Sequence, residues 1–204
     1  MTISPINLPY SPACDRNKEA ILNVISPYLS RSKKLLEVGS GSAQHAVYFS
    51  AVFPELIWQT SDQCHYLDGI KAQLHNASLN NVLPPVELDV NQKNWGFNGQ
   101  LFDAIYTANT FHIMSQSDVD AFFQGLSDVV TDSSFLFVYG PFKYAGNFTS
   151  DSNRDFDHAL RSRDCGSSIK DFEDVNALAS QQGFKLVEDR SMPANNQCLV
   201  WQKL

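Results

Sequence analysis

The chain reads KLLEVGSGSA at residues 34–43, a short apolar run that contains one acid and is followed by two glycines. Gly39 and Gly41 have no Cβ, so the backbone can turn sharply there and approach a ligand closely. The apolar run before the glycines predicts a buried strand, and the amphipathic residues after them predict a helix. The stretch therefore predicts a strand, a ligand-binding turn and a helix in direct succession.

Length and charge limit the kinds of function that the chain can have. Its 204 residues suffice for one large domain with a buried apolar core, so we expect a single domain over residues 1–204. It carries 15 Lys and Arg against 22 Asp and Glu, a net charge of −7, and no run of basic residues. Nucleic-acid partners favour a basic patch, so we expect a small-molecule substrate instead. The composition does not indicate an oligomeric state.

Cysteine usage and hydropathy predict the surroundings of the protein. The cysteines are scattered and form no Cys-x-x-Cys pair, which predicts reduced thiols in a cytoplasmic protein. The segment 1–14 has neither a basic start nor an apolar core, so no signal peptide is expected. No apolar stretch is long enough to cross a bilayer, so no membrane partner is expected. The histidines lack the spacing typical of metal ligands, so no metal site is expected.

Apolar periodicity alternates along the chain between the strand pattern and the helix pattern. Strands are predicted at 34–38, 56–60, 86–90, 102–108, 134–139, 184–191 and 197–202. Helices are predicted at 15–29, around 43–50, and at 66–77, 117–130 and 172–182. Asp15 is the expected N-cap of the first helix, and Ser117 with Asp120 forms a near capping box. Gly183 is the expected end of the last helix.

The end of the chain indicates which α/β fold this order produces. Residues 192–196 join the last two strands, and they are too few for the crossover of about a dozen residues that parallel strands need. The last two strands should therefore be antiparallel neighbours. The order predicts a doubly wound, seven-stranded sheet with an antiparallel final strand. Such an ending is typical of the class I methyltransferase (Rossmann-like) fold and unusual for nicotinamide-binding Rossmann domains.

A long polar stretch, residues 140–168, leaves the fifth predicted strand. In an open α/β sheet, a segment that leaves the carboxyl end of a strand lies over the ligand crevice, so we interpret this stretch as a lid. It contains a predicted short helix with Ser152 as its cap and with Phe156 and Leu160 facing inward. Polar side chains of the lid are candidate substrate ligands: Asn153, Asp157 and Arg161.

Polar groups stand at the ends of four successive predicted strands. They are the candidate cofactor ligands Glu37, Gly39, Ser40, Gly41, Asp62, Asp89 and Asn109. Asp62 lies 21 residues after Gly41, where a carboxylate accepts both ribose hydroxyls of a nucleoside. Asp89 is placed to meet an adenine amino group, and Asn109 would lie beside a methyl sulfonium. This order of groups favours S-adenosyl-L-methionine as the cofactor.

The glycine spacing also matches part of the dinucleotide fingerprint Gly-x-Gly-x-x-Gly. The third glycine is missing, because Gln44 stands at that position. The acidic-x-Gly-x-Gly pattern of S-adenosylmethionine-dependent methyltransferases, by contrast, is complete from Glu37 to Gly41. A nicotinamide-dependent oxidoreductase remains the less favoured alternative.

Methyl transfer needs alignment of the nucleophile with the methyl group and sometimes a base that removes a proton. His112, three residues after Asn109, is a candidate base, with a loop or helix-start histidine as the alternative. Tyr139 ends the fifth strand, where it either orients a substrate or packs. Asn195 and Asn196 lie in the turn between the closing strands. We expect this turn to fold back near the lid, which makes both residues further candidate substrate ligands.

Together these motifs resemble a family of S-adenosylmethionine-dependent methyltransferase-like proteins, catalogued as a domain of unknown function, to which methyltransferase-like protein 26 belongs. The resemblance rests on the segments 16–19, 37–46, 58–62, 88–90, 109–113, 139–142, 152–161 and 193–196. It implies the class I methyltransferase fold over nearly the whole chain. It also implies Asn17 as a cofactor ligand and His45 as a substrate ligand. It implies no particular substrate.

We therefore expect an S-adenosylmethionine-dependent methyltransferase that acts on a small molecule under a lid. A non-catalytic relative that binds the cofactor or a partner is the second alternative, because no pair of residues that would activate a nucleophile is evident in the sequence.

Overall fold

The strand that precedes the glycine turn lies inside a seven-stranded sheet, as a computed structural model covering residues 8–204 shows. The first seven residues of the segment 1–14, for which no signal peptide is expected, lie outside the described residues. The strands are β1 (Lys34–Val38), β2 (Ile57–Asp62), β3 (Val82–Glu87), β4 (Phe102–Ala108), β5 (Val130–Gly140), β6 (Phe142–Tyr144), β7 (Asn147–Phe148), β8 (Lys170–Asp171), β9 (Phe184–Met192) and β10 (Asn196–Lys203). The α-helices are α1 (Pro12–Leu29), α2 (Gln44–Val52), α3 (Leu67–Ala77), α4 (Gln116–Leu126), α5 (Asp151–Arg163) and α6 (Phe172–Gln181).

The main sheet has the strand order β3-β2-β1-β4-β5-β10-β9. The five strands from β3 to β5 are parallel, and β10 pairs antiparallel with both β5 and β9. The short connection between β9 and β10 contains a 3₁₀ turn and no crossover helix, which is the physical reason for the antiparallel pair. The predicted α/β architecture with an antiparallel final strand is confirmed.

Apolar side chains fill two layers, one on each face of the sheet. Leu35 packs with α1 and α2 on one face, and its neighbour Leu36 packs with α4 and α6 on the other. Successive strand residues point to opposite faces, so a strand covered by helices on both sides must be apolar throughout. This requirement explains the apolar residues Leu35, Leu36 and Val38 in β1, where Glu37 is the exception.

Two helix starts differ from the prediction because a neighbouring serine caps better. Helix α1 begins at Pro12 and not at Asp15, since Ser11 Oγ accepts from the Cys14 amide at 3.4 Å and proline suits the first helical position. Helix α4 has its capping box at Ser115 and Asp118, two residues before the predicted pair. It ends at Leu126, because the residues from Val130 onward pair with β4 as the first part of β5.

The third strand was predicted at 86–90, whereas β3 spans Val82–Glu87. Its start is held by Asn81, whose amide Nδ2 lies within 3.1 Å of the carbonyls of Ser50, Phe53 and Leu56. The start of the strand was not predicted because Pro84 and Pro85 normally indicate a break in a strand. Proline is tolerated in a strand at the edge of a sheet, and β3 is such a strand. Asp89 therefore follows β3 by two residues instead of lying within the strand.

The polar stretch 140–168 folds as a compact layer rather than an open loop. It forms β6, β7 and α5, and β6 lies between β7 and β8 in a small three-stranded sheet. The cap of α5 is Ser150, not the predicted Ser152, because Ser150 Oγ accepts from the Asn153 amide at 3.2 Å. Leu160 is buried as predicted, whereas Phe156 keeps 37% of its surface exposed. Across residues 8–204, no helix is long and apolar enough to span a bilayer.

Candidate functional site

The glycine turn has a backbone conformation that L side chains rarely adopt. Gly39 has φ +79° and Gly41 has φ +55°. The amides of Gly39 and Ser40 both donate to the Ser61 carbonyl, at 3.0 and 2.9 Å, which holds the turn against the end of β2. A Cβ on Gly39 would lie 2.6 Å from Thr110 Cγ2, whereas a Cβ on Gly41 would meet no atom within 4 Å. Gly39 therefore allows close packing, and Gly41 borders open space.

Glu37 lies beneath this turn and is almost completely buried. Its Oε2 accepts from Ser40 Oγ at 2.8 Å and from Trp58 Nε1 at 3.0 Å. Burial raises the pKa of the Glu37 carboxyl to about 7, although the two hydrogen bonds favour the ionised form. The structure shows Glu37 as a support of the turn, and its direct contact with a cofactor stays a prediction.

Asp62 is the last residue of β2 and faces the glycine turn. Its Oδ2 accepts from the Gly41 amide and its Oδ1 from the Gln63 amide, each at 2.7 Å. Burial raises the pKa of the Asp62 carboxyl, while these two amides oppose the shift. A carboxylate has about four acceptor positions, so both oxygens can still accept from a ligand hydroxyl.

A cavity of about 440 Å³ opens where the parallel strands end. Its walls include six of the seven predicted strand-end ligands: Gly39, Ser40, Gly41, Asp62, Asp89 and Asn109. Asn109 has φ +60°, and its amide donates to the Tyr139 carbonyl at 2.8 Å. The carboxyl ends of parallel strands meet at one edge of a sheet, so residues far apart in sequence line one cavity.

Several lining residues escaped the sequence reasoning. They are Ser11, Ala13, Cys14, Gln63, Tyr66, Asn91, Thr110, Ile113, Met114 and Asp118. Asp118 reaches the cavity from the first turn of α4, and Asn91 Nδ2 lies 2.9 Å from Asp118 Oδ1 and 3.3 Å from Asp89 Oδ1. The sequence could have pointed to Asp118 only as a helix-capping residue. A residue in the first turn of α4 lies beside the loop that leaves β4, and this loop borders the cavity. Among the described lining residues the charged groups are carboxylates, without Lys or Arg.

His45 lines the cavity and belongs to a buried polar network. Its Nε2 lies 2.7 Å from Asn17 Oδ1, which can only accept, and its Nδ1 lies 3.1 Å from the Tyr106 hydroxyl. Nε2 therefore carries a proton, and burial, which lowers the pKa of His45 to about 4, keeps the imidazole neutral at pH 7. The Asn17 side chain lies beside the Tyr139 hydroxyl, and burial raises the pKa of Tyr139. Neither Asn17 nor Tyr139 lines the cavity, so their predicted contacts stay predictions.

His112 is buried between the main sheet and the lid. Its ring packs edge-on against Phe156, with centroids 5.2 Å apart. Burial, together with the nearby charge of Lys170, lowers the pKa of His112 to about 4. Such an imidazole is a weak base at neutral pH. It does not line the described cavity, so a catalytic role for His112 stays a prediction.

The predicted substrate ligands of the lid hold the lid in place and do not line the cavity. Asn153 Nδ2 donates to the Asn195 carbonyl at 2.9 Å, as expected for a turn that folds back near the lid. Asp157 accepts from the Ile169 amide and from Arg161 Nε, each at 2.7 Å. Asn196 Nδ2 donates to carbonyls within its own turn.

The end of the lid and the strand β8 that follows it are hydrogen-bonded to the wall of the cavity. Lys170 Nζ donates to the Met114 carbonyl at 2.6 Å, and Ser167 Oγ donates to the Ile113 carbonyl at 3.0 Å. Because Ile113 and Met114 line the cavity, a movement of the lid would move that wall. Among residues 8–204, no group of three or more His, Cys, Asp or Glu is arranged to hold a metal ion.

Comparisons with known proteins identify the family and the fold of the chain. The model of a family described as "Protein of unknown function (DUF938)" matches residues 8–203. The fold is similar to human N-acetylserotonin methyltransferase in complex with SAM, with a TM-score of 0.79 and 12% identity over 94% of this chain and 52% of that one. It is similar to an O-methyltransferase family protein from Burkholderia thailandensis, with a TM-score of 0.76 and 14% identity over 94% of this chain and 59% of that one.

A third structure, the S-adenosylmethionine-dependent methyltransferase SibL in its apo form, matches with a TM-score of 0.76 and 17% identity over 94% of this chain and 55% of that one. The chain thus spans a little over half the length of the solved structures it matches. At these identities the likeness shows the fold, which is that of the class I methyltransferases.

Proposed function

Since the chain belongs to the family described as of unknown function, DUF938, its activity has to come from the site, and we propose an S-adenosylmethionine-dependent methyltransferase that acts on a small molecule. The relation to methyltransferase-like protein 26, which rests on sequence motifs, and a cytoplasmic location, which rests on the scattered cysteines, are parts of the same proposal.

One observation carries the proposal: the glycine turn, Asp62, Asp89 and Asn109 line a single cavity of about 440 Å³. Asp62 would hold the ribose hydroxyls, Asp89 the adenine amino group, and the turn at 39–41 the rest of the cofactor. The open space beside Gly41 fits this role, because a ligand can approach the backbone there. When bound, the cofactor supplies an electrophilic methyl group.

The chemistry left to this chain is alignment and exclusion of water. Tyr139 lies near the end of β5 beside Asn17, and His112 follows β4 and packs under the lid against Phe156. These two residues are the candidates for orienting an acceptor. A buried phenol whose pKa is raised keeps its proton and can donate a hydrogen bond to an acceptor. A small molecule is favoured because the chain is acidic and the described cavity walls carry no Lys or Arg.

A dinucleotide fits the site less well. The order β3-β2-β1-β4-β5-β10-β9 departs from the dinucleotide-binding order after the fifth strand, because β10 inserts antiparallel between β5 and β9. Gln44 also fills the place of the third glycine.

The test is isothermal titration calorimetry with S-adenosylhomocysteine and with NAD⁺. We expect the first ligand to bind and the second not to. Asp62→Asn should weaken S-adenosylhomocysteine binding at least tenfold. Asp103→Asn is the matched control, because Asp103 also accepts from two backbone amides, those of Lys33 and Lys34, but at the opposite end of the sheet. Selective binding of NAD⁺ would refute the proposal.

A non-catalytic cofactor-binding relative is the second candidate. It is favoured by the two buried histidines, which stay neutral and only weakly basic. Incubation of the protein with labelled S-adenosylmethionine and a cell metabolite extract separates the candidates. Label transferred to a small molecule supports the enzyme, and tight binding without transfer supports the non-catalytic candidate.

A further inference from the structure

Gln44, the first residue of α2, joins two parts of the chain that are far apart in sequence. Its Oε1 accepts from the Ser11 backbone amide at 2.5 Å and from Ser42 Oγ at 2.8 Å. Ser11 lies 33 residues before Gln44 and is the N-cap of α1. One side-chain oxygen therefore ties the start of α1 to the glycine turn.

A comparison with α4 shows why this bond is needed. In α4 the N-cap amide of Ser115 donates to Asp118 Oδ2 at 2.9 Å, which completes a capping box within one turn. In α1 the equivalent position is Cys14, which carries no carboxylate or amide acceptor. Gln44 supplies the missing acceptor from another helix, so the cap of α1 is completed by tertiary structure.

The start of α1 is also a wall of the cofactor cavity. Ser11, Ala13 and Cys14 line the cavity, next to Ser42 and His45 at the start of α2. Without the Gln44 bond, the Ser11 amide would lose its acceptor, and the first residue of the wall would lose its side-chain link to Ser42, while the bond between His45 and Asn17 would remain further along α1. The position of this wall relative to the turn therefore depends on Gln44.

We propose that Gln44 is a positioning residue that holds the start of α1 as a wall of the cofactor cavity. The inference rests on the proposed function, because it assigns the cavity to S-adenosylmethionine. It also gives a reason for glutamine where the dinucleotide fingerprint has glycine: the position needs a long side chain with an acceptor.

Three variants test this proposal. Gln44→Met keeps the length of the side chain and removes the acceptor, and Gln44→Glu keeps both. Gln116→Met is the matched control, since Gln116 is also the first residue of a helix, but its side chain bonds only to Asp120 in the same helix. Hydrogen exchange of the peptide that contains Ser11, without ligand, reports on the bond. Calorimetry with S-adenosylhomocysteine reports on the cavity.

We expect Gln44→Met to speed exchange at Ser11 about tenfold and to weaken S-adenosylhomocysteine binding about tenfold, with little change in melting temperature. Gln44→Glu should restore slow exchange and most of the affinity, and Gln116→Met should change neither. Unchanged exchange in Gln44→Met, or faster exchange with unchanged affinity, overturns the inference alone. Failure of the wild-type protein to bind S-adenosylhomocysteine overturns the proposed function as well.

Discussion

Gly39 and Gly41 are required for different reasons, although they are one residue apart. Gly39→Ala should lower the free energy of unfolding by about 2–4 kcal/mol, because its Cβ meets Thr110 Cγ2 at 2.6 Å and its φ is +79°. Gly41→Ala should cost only about 1 kcal/mol, the strain of a left-handed alanine. Its methyl group enters the cavity, so S-adenosylhomocysteine should bind at least tenfold more weakly. Urea unfolding and calorimetry measure both effects, and full affinity in Gly41→Ala would place the ligand elsewhere.

The two buried histidines make stability depend on pH. Burial lowers the pKa of His45 and His112 to about 4, from 6.5 when unfolded. The unfolded chain therefore binds more protons between pH 6.5 and 4, so the stability that the neutral rings provide is lost as the pH falls through that window. NMR titration of the imidazole protons should show both midpoints near 4. An NMR midpoint near 6.5 for either ring would contradict its burial.

Glu37 makes stability depend on pH in the opposite direction to the two histidines. Burial raises the pKa of its carboxyl from 4.5 to about 7, so the folded state holds a proton that the unfolded chain releases. The stability contributed by the protonated carboxyl is present below pH 4.5 and is lost as the pH rises through 7. The variant Glu37→Gln should remove this dependence, and its unfolding free energy should vary less between pH 4.5 and 7 than that of the wild-type protein.

At the scale of elements, capping decided where helices begin. The sequence shows Ser11-Pro12 and Ser115 with Asp118, but nearby Asp15 and the Ser117–Asp120 pair match the same local rules. Several possible N-cap residues within one turn satisfy the same sequence rules equally well. The path of the preceding chain determines which of them caps the helix. The existence and type of these helices were therefore predictable, and their first residues were not.

The lid is the element whose attachment can be tested most directly. Asp157→Ala should destabilise it by about 1–3 kcal/mol, because the buried Ile169 amide loses its acceptor. Asp151→Ala is the matched control in the same helix, since its ion pair with Arg154 is exposed and contributes little. Hydrogen exchange over residues 140–171 measures the effect. Equal exchange in the two variants would show that Asp157 does not hold the lid.

At the scale of the whole molecule, ligand binding should raise the melting temperature. A ligand at 100 times its Kd stabilises the folded state by about 2.7 kcal/mol. For a domain of this size, each kcal/mol corresponds to roughly 2–4 °C. We therefore expect S-adenosylhomocysteine to raise Tm by roughly 5–10 °C, whereas NAD⁺ leaves it unchanged. Differential scanning fluorimetry measures the shift, and Gly41→Ala should reduce it at the same ligand concentration.

The sequence alone determined the strand, turn and helix at 34–52, the antiparallel closing pair and most of the strand-end residues that line the cavity. These features depend on periodicity, on glycine and on loop length, which are all local. Tertiary structure decided that Trp58 and Ser40 enclose Glu37 beneath the turn, that α4 brings Asp118 to the cavity, and that Gln44 fastens the start of α1. Contacts between residues far apart depend on how helices pack on the sheet, and no local pattern encodes that packing.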